Sequence, residues 1–502
     1  MDPKLPTECL LYIFENFSPW NNEWKDSFKS LYACILVNRK WCEAGLTILW
    51  REPIEWLHSK EENRLRLIPL ISIYISCLPQ ESKSQILNND LQLSVSILKS
   101  TSIDYPSLLK GFDYQSLYNA IGFWVKKNYR PQNTFDIRFR QFQFLELIGK
   151  LFMSKCTNLK RFSIFMKADI KDEILQLPLL PGAKECLSNI TEFSCKGCLF
   201  SEFMYLAAQS CRNIKRFNIE CCCTDNGGLI KLIEIQRVPL DFILINMKNN
   251  KIPLLENIIK KRAISVTEIR LFGMEYSLDY FTESKNLEKI KISPSMRIES
   301  TVWENFMNSS FPKLRELRIR LKNCTLSQLS TFIQNTHGSL EYLEINLIHS
   351  DTIDMEEFLM FTEVLINNCK NLYYYDGPFH TNGIEMLQSF FQKCPKLEYL
   401  ILHNSNSDYV DISNIFEQAG SFVPINLTKL QFVDNCIISA KALRNFLQAC
   451  ATRLIRTLEF KFIPQSQDIE LIMENFANQK VVKSNYIKYE KIDLLVGFLG
   501  NI

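Results

Sequence analysis

From residue 156 onward the chain repeats one short hydrophobic phrase. CTNLKRFSI from 156, CRNIKRFNI from 211, CKNLYYYDG from 369 and CPKLEYLIL from 394 share the order cysteine, two residues, apolar, two residues, apolar. Relaxing the cysteine recovers further copies at 189, 239, 265, 286, 313, 339, 426 and 454, twelve in all, each a variant of L-x-x-L-x-L. Their first apolar positions are 159, 190, 214, 240, 266, 287, 314, 340, 372, 397, 427 and 455. The mean interval is about 27 residues, which is the period of leucine-rich repeats carrying a strand and a helix each.

The segments between the phrases supply the helices. Leu387, Phe390, Phe391 and Cys394 fall at i, i+3, i+4 and i+7, as do Leu443, Phe446, Leu447 and Cys450, and Met204, Ala207, Ala208 and Cys211. That spacing makes one buried helix face with a cysteine at its last inward position. The pattern predicts an α/β class: a solenoid over 151–480 with a parallel sheet on its concave face and helices outside. Residues 52–150 read as a helical linker and N-terminal cap, and 481–502, containing YIKYEKIDLLVGFLGNI, as a C-terminal cap.

Composition narrows the chemistry. Of 502 residues, 46% are hydrophobic, enough for a large core, and 58 Lys and Arg stand against 55 Asp and Glu. A net charge of +3 gives no global field for nucleic acid or an anionic membrane, so neither is expected as a partner. MDPKLPTE lacks the basic and apolar regions of a signal peptide, and the apolar run Leu67 to Leu78 is broken by Pro69 and short for a bilayer. A cytoplasmic or nuclear location is expected, with the seventeen cysteines reduced. In that setting the sequons at Asn189 and Asn426 read as chance. Cys198, Cys222 and Cys436 fall eight or nine residues after a repeat's first apolar position, where such repeats place Asn or Cys. Cys195 and Cys198 form a CxxC, yet the repeat already accounts for both, and zinc needs four converging ligands. No metal or cofactor is expected. With five histidines and fifteen glycines there is no HExxH, GxSxG or phosphate loop. His380, Cys394 and His403 are a weak thiol constellation, Cys394 having its helix role, so no enzyme is expected.

The first fifty residues follow another grammar. LPTECLLYIFENF spans 5 to 17 and SLYACILVNRKWCEAGLTILWR spans 30 to 51. Leu31 to Val37 is apolar on nearly every side, and a fifty-residue helical unit is too small to bury two faces alone. Leu5, Pro6, Glu8, Leu10, Ile13 and Phe14, then Leu36, Val37, Arg39, Trp41, Leu49 and Trp50, resemble the F-box over residues 1–51. Val-Asn-Arg-x-Trp-Cys resembles fungal members in particular. The loop from Ser18 to Ser27 is longer than the family's usual turn. Cys34 and Cys42, eight apart on what reads as one helix, lie too far apart to share a metal or disulfide.

The resemblance implies a three-helix F-box ahead of the repeats and a non-catalytic substrate-recognition subunit of a Skp, cullin, F-box ubiquitin ligase. Leu5, Pro6, Glu8, Leu10, Ile13, Leu36, Val37, Trp41, Leu49 and Trp50 would bind the Skp-type adaptor, and the repeats an unknown protein substrate. The alternative is a leucine-rich-repeat scaffold or inhibitor with no ligase role. Alternation along a strand sends the residues two, four and six after the first apolar position to the concave face. Arg270, Lys291 and Arg318 then make a basic row, widened by Lys289 and Arg320, with Glu316 as its one internal acid; Glu344 and Asp376 reverse its sign. Tyr342, Tyr374 and Tyr399 form a column beside that end, with His403 nearby. The expectation is a target offering an acidic or phosphorylated segment to the row and an apolar or cationic side chain to the tyrosines.

Overall fold

Each apolar phrase becomes a strand of a parallel sheet, because its period-two alternation buries one face while the helical spacer returns the chain in the same direction. The structure, a computed structural model, describes residues 5–16, 24–58, 61–87, 101–129, 134–165, 176–198, 200–222, 224–247, 252–273, 278–293, 301–321, 324–347, 354–379, 384–404, 410–433, 436–452, 459–461 and 467–478. The C-terminal cap expected over 481–502, the residue His380 and much of the long loop from Ser18 lie outside them. The chain divides into two compact units, Met1–Ile259 and Lys260–Ile502.

The first unit opens with helices α1 (Thr7–Glu15), α2 (Trp24–Ile35) and α3 (Arg39–Leu49). Their core is small: Leu10, Phe14, Leu31, Ala44 and Ile48, with Leu11, Cys34, Trp41 and Leu49 packed against it. Asn38 ends the apolar run by capping α3, its side chain accepting from the Trp41 amide at 3.0 Å. CILVNRKWC is therefore not one helix: Cys34 sits near the end of α2 and Cys42 at the start of α3. After α4 (Pro53–His58) and α5 (Leu67–Ser76), strand β1 (Gly111–Asp113) appears inside the stretch read as helical. Two residues of alternation, Phe112 between Gly111 and Asp113, were too few to register as a strand. Asp113 also caps the following helix, α6 (Tyr114–Asn128), by accepting from the Ser116 amide at 2.7 Å. Then β2 (Arg161–Ile164), β3 (Glu192–Lys196), β4 (Arg216–Cys222) and β5 (Phe242–Met247) pair in chain order, all parallel to β1.

The second unit continues the grammar with β6 (Glu268–Phe272), β7 (Lys289–Ser293), β8 (Glu316–Leu321), β9 (Tyr342–Leu347), β10 (Tyr374–Phe379) and β11 (Tyr399–Asn404). Next come β12 (Val410–Asp411), β13 (Lys429–Val433), β14 (Cys436–Ile437) and β15 (Glu459–Lys461), with β12 and β14 pairing apart from the rest. From β2 to β13 every strand of the main sheets starts two residues after its repeat's first apolar position. Those positions, from Leu159 to Leu427, are buried. Where the interval shrinks to 21 residues, between Val266 and Leu287, the described connection holds a short 3-10 turn, Asp279–Phe281, instead of a full helix.

The cysteines follow the repeat. Cys156, Cys211, Cys369, Cys394 and Cys450 close their helices from the buried side, and Cys195 fills an inward strand position. Burial pushes the Cys211 and Cys394 thiols up to about 12, so they pack as small apolar groups. The sequon asparagines serve the turns: Asn189 donates to the Thr157 carbonyl at 2.9 Å and Asn426 to that of Pro395 at 3.3 Å.

Candidate functional site

Two surfaces carry the residues singled out by sequence, and the first lies on the helical opening. Lys40, in the first turn of α3, donates to the Leu5 carbonyl at 2.7 Å, so the start of α1 meets the start of α3, where α2 has just ended. At this end Leu5, Leu36 and Val37 are 45%, 70% and 58% exposed, and Pro6 is exposed beside them. Along α1, Tyr12 and Ile13 also face outward, with Glu8. Leu10 does not. It is fully buried in the three-helix core, because the turn that exposes Ile13 directs Leu10 and Phe14, four apart, to the opposite side. Trp41 is half-buried and meets Phe14 edge-on at 5.5 Å, and Leu49 packs on the core. Trp50 is spent elsewhere, 4.1 Å from Tyr105 and 5.8 Å from Tyr74 between ring centroids. The adaptor set read from the sequence thus divides into outward residues and packing residues.

That packing has a second consequence. In the first unit the amides one and two residues after a repeat's first apolar position donate to one carbonyl of the repeat before: Thr191 and Glu192 to Lys160, Lys215 and Arg216 to Thr191, Asp241 and Phe242 to Lys215. The same pair motif runs back through Lys160 and Arg161 to Lys110, and from Lys110 and Gly111 to the Arg51 carbonyl at 2.9 and 3.2 Å. The ladder therefore starts at Arg51, immediately after the Leu-Trp that ends α3.

The second surface is the outward strand face. In the second unit Arg270, Lys291 and Arg318 are in register, followed by Glu344 and Asp376. They are not an open basic row. Glu268, in register with Lys289, is a further acid in it. It binds Arg270 at 2.6 Å; Glu316 binds Arg318 at 2.6 Å and Lys289 at 3.7 Å; Arg318 also reaches Glu344 at 3.6 Å. Lys291 lies 5.9 Å above the Phe272 ring. Arg320 is exposed, in register with Asn346. Offset counting placed the cations correctly but could not show that acids two residues away on the same strand fold back onto them.

The tyrosines form a stack. Tyr342 and Tyr374 lie face to face, 4.0 Å apart and 7° from parallel, and Tyr399 follows at 5.8 Å with a 35° tilt. Arg318 covers the other face of Tyr342 at 4.3 Å. The hydroxyls of Tyr342 and Tyr374 donate to Glu344 at 3.1 Å and Asp376 at 3.3 Å, and His403 meets Asp376 at 2.6 Å. Burial, with neighbouring carboxylates, raises both tyrosines above the usual phenol range, keeping them neutral donors.

Offset counting was confined to the repeats from 266 onward, so a third group went unread. In the first unit, offset two gives Arg161, Glu192, Arg216 and Phe242, and offset four gives Ser163, Ser194 and Asn218. Arg161 binds Glu192 at 2.9 Å and Glu52 at 3.0 Å, and Arg216 binds Glu192 at 3.3 Å while lying 4.2 Å over Phe242. Glu52 is nearly buried, with its pKa raised to about 8 by burial and by Glu55 and Glu192, against the opposing pull of Arg161. No periodicity marks Glu52, which comes from the segment just after α3.

No family profile matches the chain, and no curated protein matches it. Among solved structures, a chain in the crystal structure of the yeast Rad7 and Elc1 complex aligns at 13% identity over 74% of this chain and 90% of that chain, with a TM-score of 0.37. At that level the likeness carries no argument about function.

Proposed function

We propose that this chain is a non-catalytic substrate receptor of a Skp, cullin, F-box type ubiquitin ligase, taking an adaptor on its helical opening and a protein target on its repeats. The observation that carries the reading is the exposed apolar end formed by Leu5, Pro6, Leu36 and Val37. A helical unit whose own core is five residues leaves two large aliphatic side chains in water at a helix break, a cost that a covering protein removes. Covering Leu36 and Val37 is worth roughly 1.5–3 kcal/mol each, and such desolvated apolar anchors dominate interface energy. The F-box resemblance names the adaptor, and the ladder beginning at Arg51 joins the opposite end of α3 to the first repeats, leaving the apolar end open to a partner. The repeat faces present tyrosine and arginine, two residue types enriched at protein interfaces.

The test is co-purification with a Skp-type adaptor. Wild type is expected to capture it, and Leu36→Asp with Val37→Asp to lose capture at least a hundredfold, while far-UV circular dichroism stays unchanged. Leu10→Asp would instead unfold the helical opening. A wild-type chain that captures no Skp-type adaptor would leave the scaffold or inhibitor reading in its place.

A further inference from the structure

The strand face of the first unit is hollow. The small residues Ser163, Ser194 and Asn218 line a concavity of about 310 Å³, beside the longer row of Arg161, Glu192, Arg216 and Phe242 and with Phe165 also in its wall. Glu55 of α4 reaches the same space. Pockets of this size accept a single side chain or small ligand.

Its chemistry is that of an acceptor. The side-chain oxygen of Asn218 is buried and has no hydrogen-bond partner among the described residues. A buried oxygen of this kind is unfavourable until a donor meets it. The arginines are committed: Nη1 of Arg161 to Glu52 at 3.0 Å and, more loosely, to Glu55 at 3.7 Å, its Nε to Glu192, and Nε of Arg216 to the other Glu192 oxygen. The charged groups facing one another here are Glu52 and Glu55 from the α4 segment, Asp113 from β1, Arg161 from β2, Glu192 from β3 and Arg216 from β4. Four carboxyl groups oppose two guanidiniums. Glu52 and Glu55 answer by sharing a hydrogen bond, and both are raised, by burial first. An anion entering would have to displace Glu192 from both arginines. A cation would restore the balance and give Asn218 its donor.

We infer that this concavity receives a basic side chain, arginine or lysine, from an extended segment of a protein, with Glu55 and Asn218 holding its head and Phe165 and Phe242 flanking its aliphatic stem. The inference rests on the reading of the repeats as a target receptor, and it adds the chemistry of the target. Because the arriving charge lets the Glu52 and Glu55 pair give up its proton to solvent, binding releases a proton and tightens as pH rises toward about 8.

Saturation-transfer NMR on the full chain tests this with the peptides acetyl-Gly-Arg-Gly-amide, its lysine analogue and its glutamate analogue. The expected result is transfer to the arginine and lysine peptides, at least threefold stronger binding at pH 8.5 than at pH 6.5, and at least a fivefold loss in Asn218→Leu and in Glu55→Gln. Asn218→Leu, which replaces an amide by an isosteric apolar group, keeps the test decisive if Glu55→Gln folds poorly. Preferred binding of the glutamate peptide, or basic-peptide binding that Asn218→Leu leaves intact, would overturn the inference. Adaptor capture, measured on the same samples, is expected to be untouched by both variants; its absence in the wild type would count against the proposed function and leave the pocket result standing.

Discussion

The two strand faces obey one repeat grammar and end as different surfaces. In both units the residues three and five positions after the first apolar residue are buried, as Phe217 and Ile219 are on β4 and Leu317 and Ile319 on β8. The outward residues between them decide the outcome. On β2, β3 and β4 of the first unit offset four is small, with Ser163, Ser194 and Asn218 ahead of Leu244 on β5, and the face there is hollow. In the second unit offset four carries Arg270 and Arg318, paired with acids, Lys291 over the Phe272 ring, and Glu344 and Asp376, which take tyrosine hydroxyls; they form a platform whose concavity is only about 140 Å³. A solenoid can therefore change from pocket to platform without changing its core, because inward and outward residues answer to separate constraints.

The largest expected effects test the shared part. Ile219→Ala and Ile319→Ala each leave a cavity behind one strand and should cost about 2–4 kcal/mol, nearly equally. Urea unfolding followed by tryptophan fluorescence would measure both, and a difference above about 1.5 kcal/mol would mean that the two cores are not equivalent.

Next come the acids that bridge cations on each face. Glu192→Leu strips a partner from both Arg161 and Arg216, whereas Glu316→Leu leaves Arg318 still within 3.6 Å of Glu344. All these groups are a quarter to a third exposed, so the full cost of orphaning a buried charge does not apply; about 2 kcal/mol is expected at Glu192 and about 1 kcal/mol at Glu316. The same unfolding experiment ranks them, and the reverse order would make the platform the more tightly coupled face.

The last effect is a slope with pH. Glu52 holds its proton to about pH 8 in the folded chain, against an ordinary carboxyl value near 4.5 when unfolded. The folded state thus binds more protons between these values, and this group's contribution to stability falls as pH rises through that window. The slope is at most about 1.4 kcal/mol per pH unit. Glu52→Gln mimics the protonated carboxyl and should flatten that part of the stability profile between pH 5 and 8.

Much of the fold is written in local pattern. The first eleven phrases fix strand starts to the residue because the apolar residue two positions before each strand must be buried for the repeats to stack, and Cys211, Cys394 and Cys450 mark where each helix turns back. β1 escaped that reading because its three residues carry almost no alternation, and the break at Asn38 escaped it because apolar residues continue through it on both sides. The candidate sites were legible in position and not in state. Counting along strands named Arg270, Arg318 and the three tyrosines; it could not tell that Glu268 and Glu316 would neutralise the arginines, nor that Leu10 would turn inward and Trp50 would be consumed by Tyr74 and Tyr105.

The boundary between the two kinds of knowledge is physical. Periodicity is a property of consecutive residues, so sequence alone determined which side chains of each strand face in and which face out, and that an apolar opening precedes a repeat. Charge state, hydrogen-bond partners and hollowness depend on residues distant along the chain. Glu52 lies 109 residues before Arg161 and is joined to it only when β1 and β2 pair; the pocket that Asn218 lines and the proton that Glu52 holds were decided there.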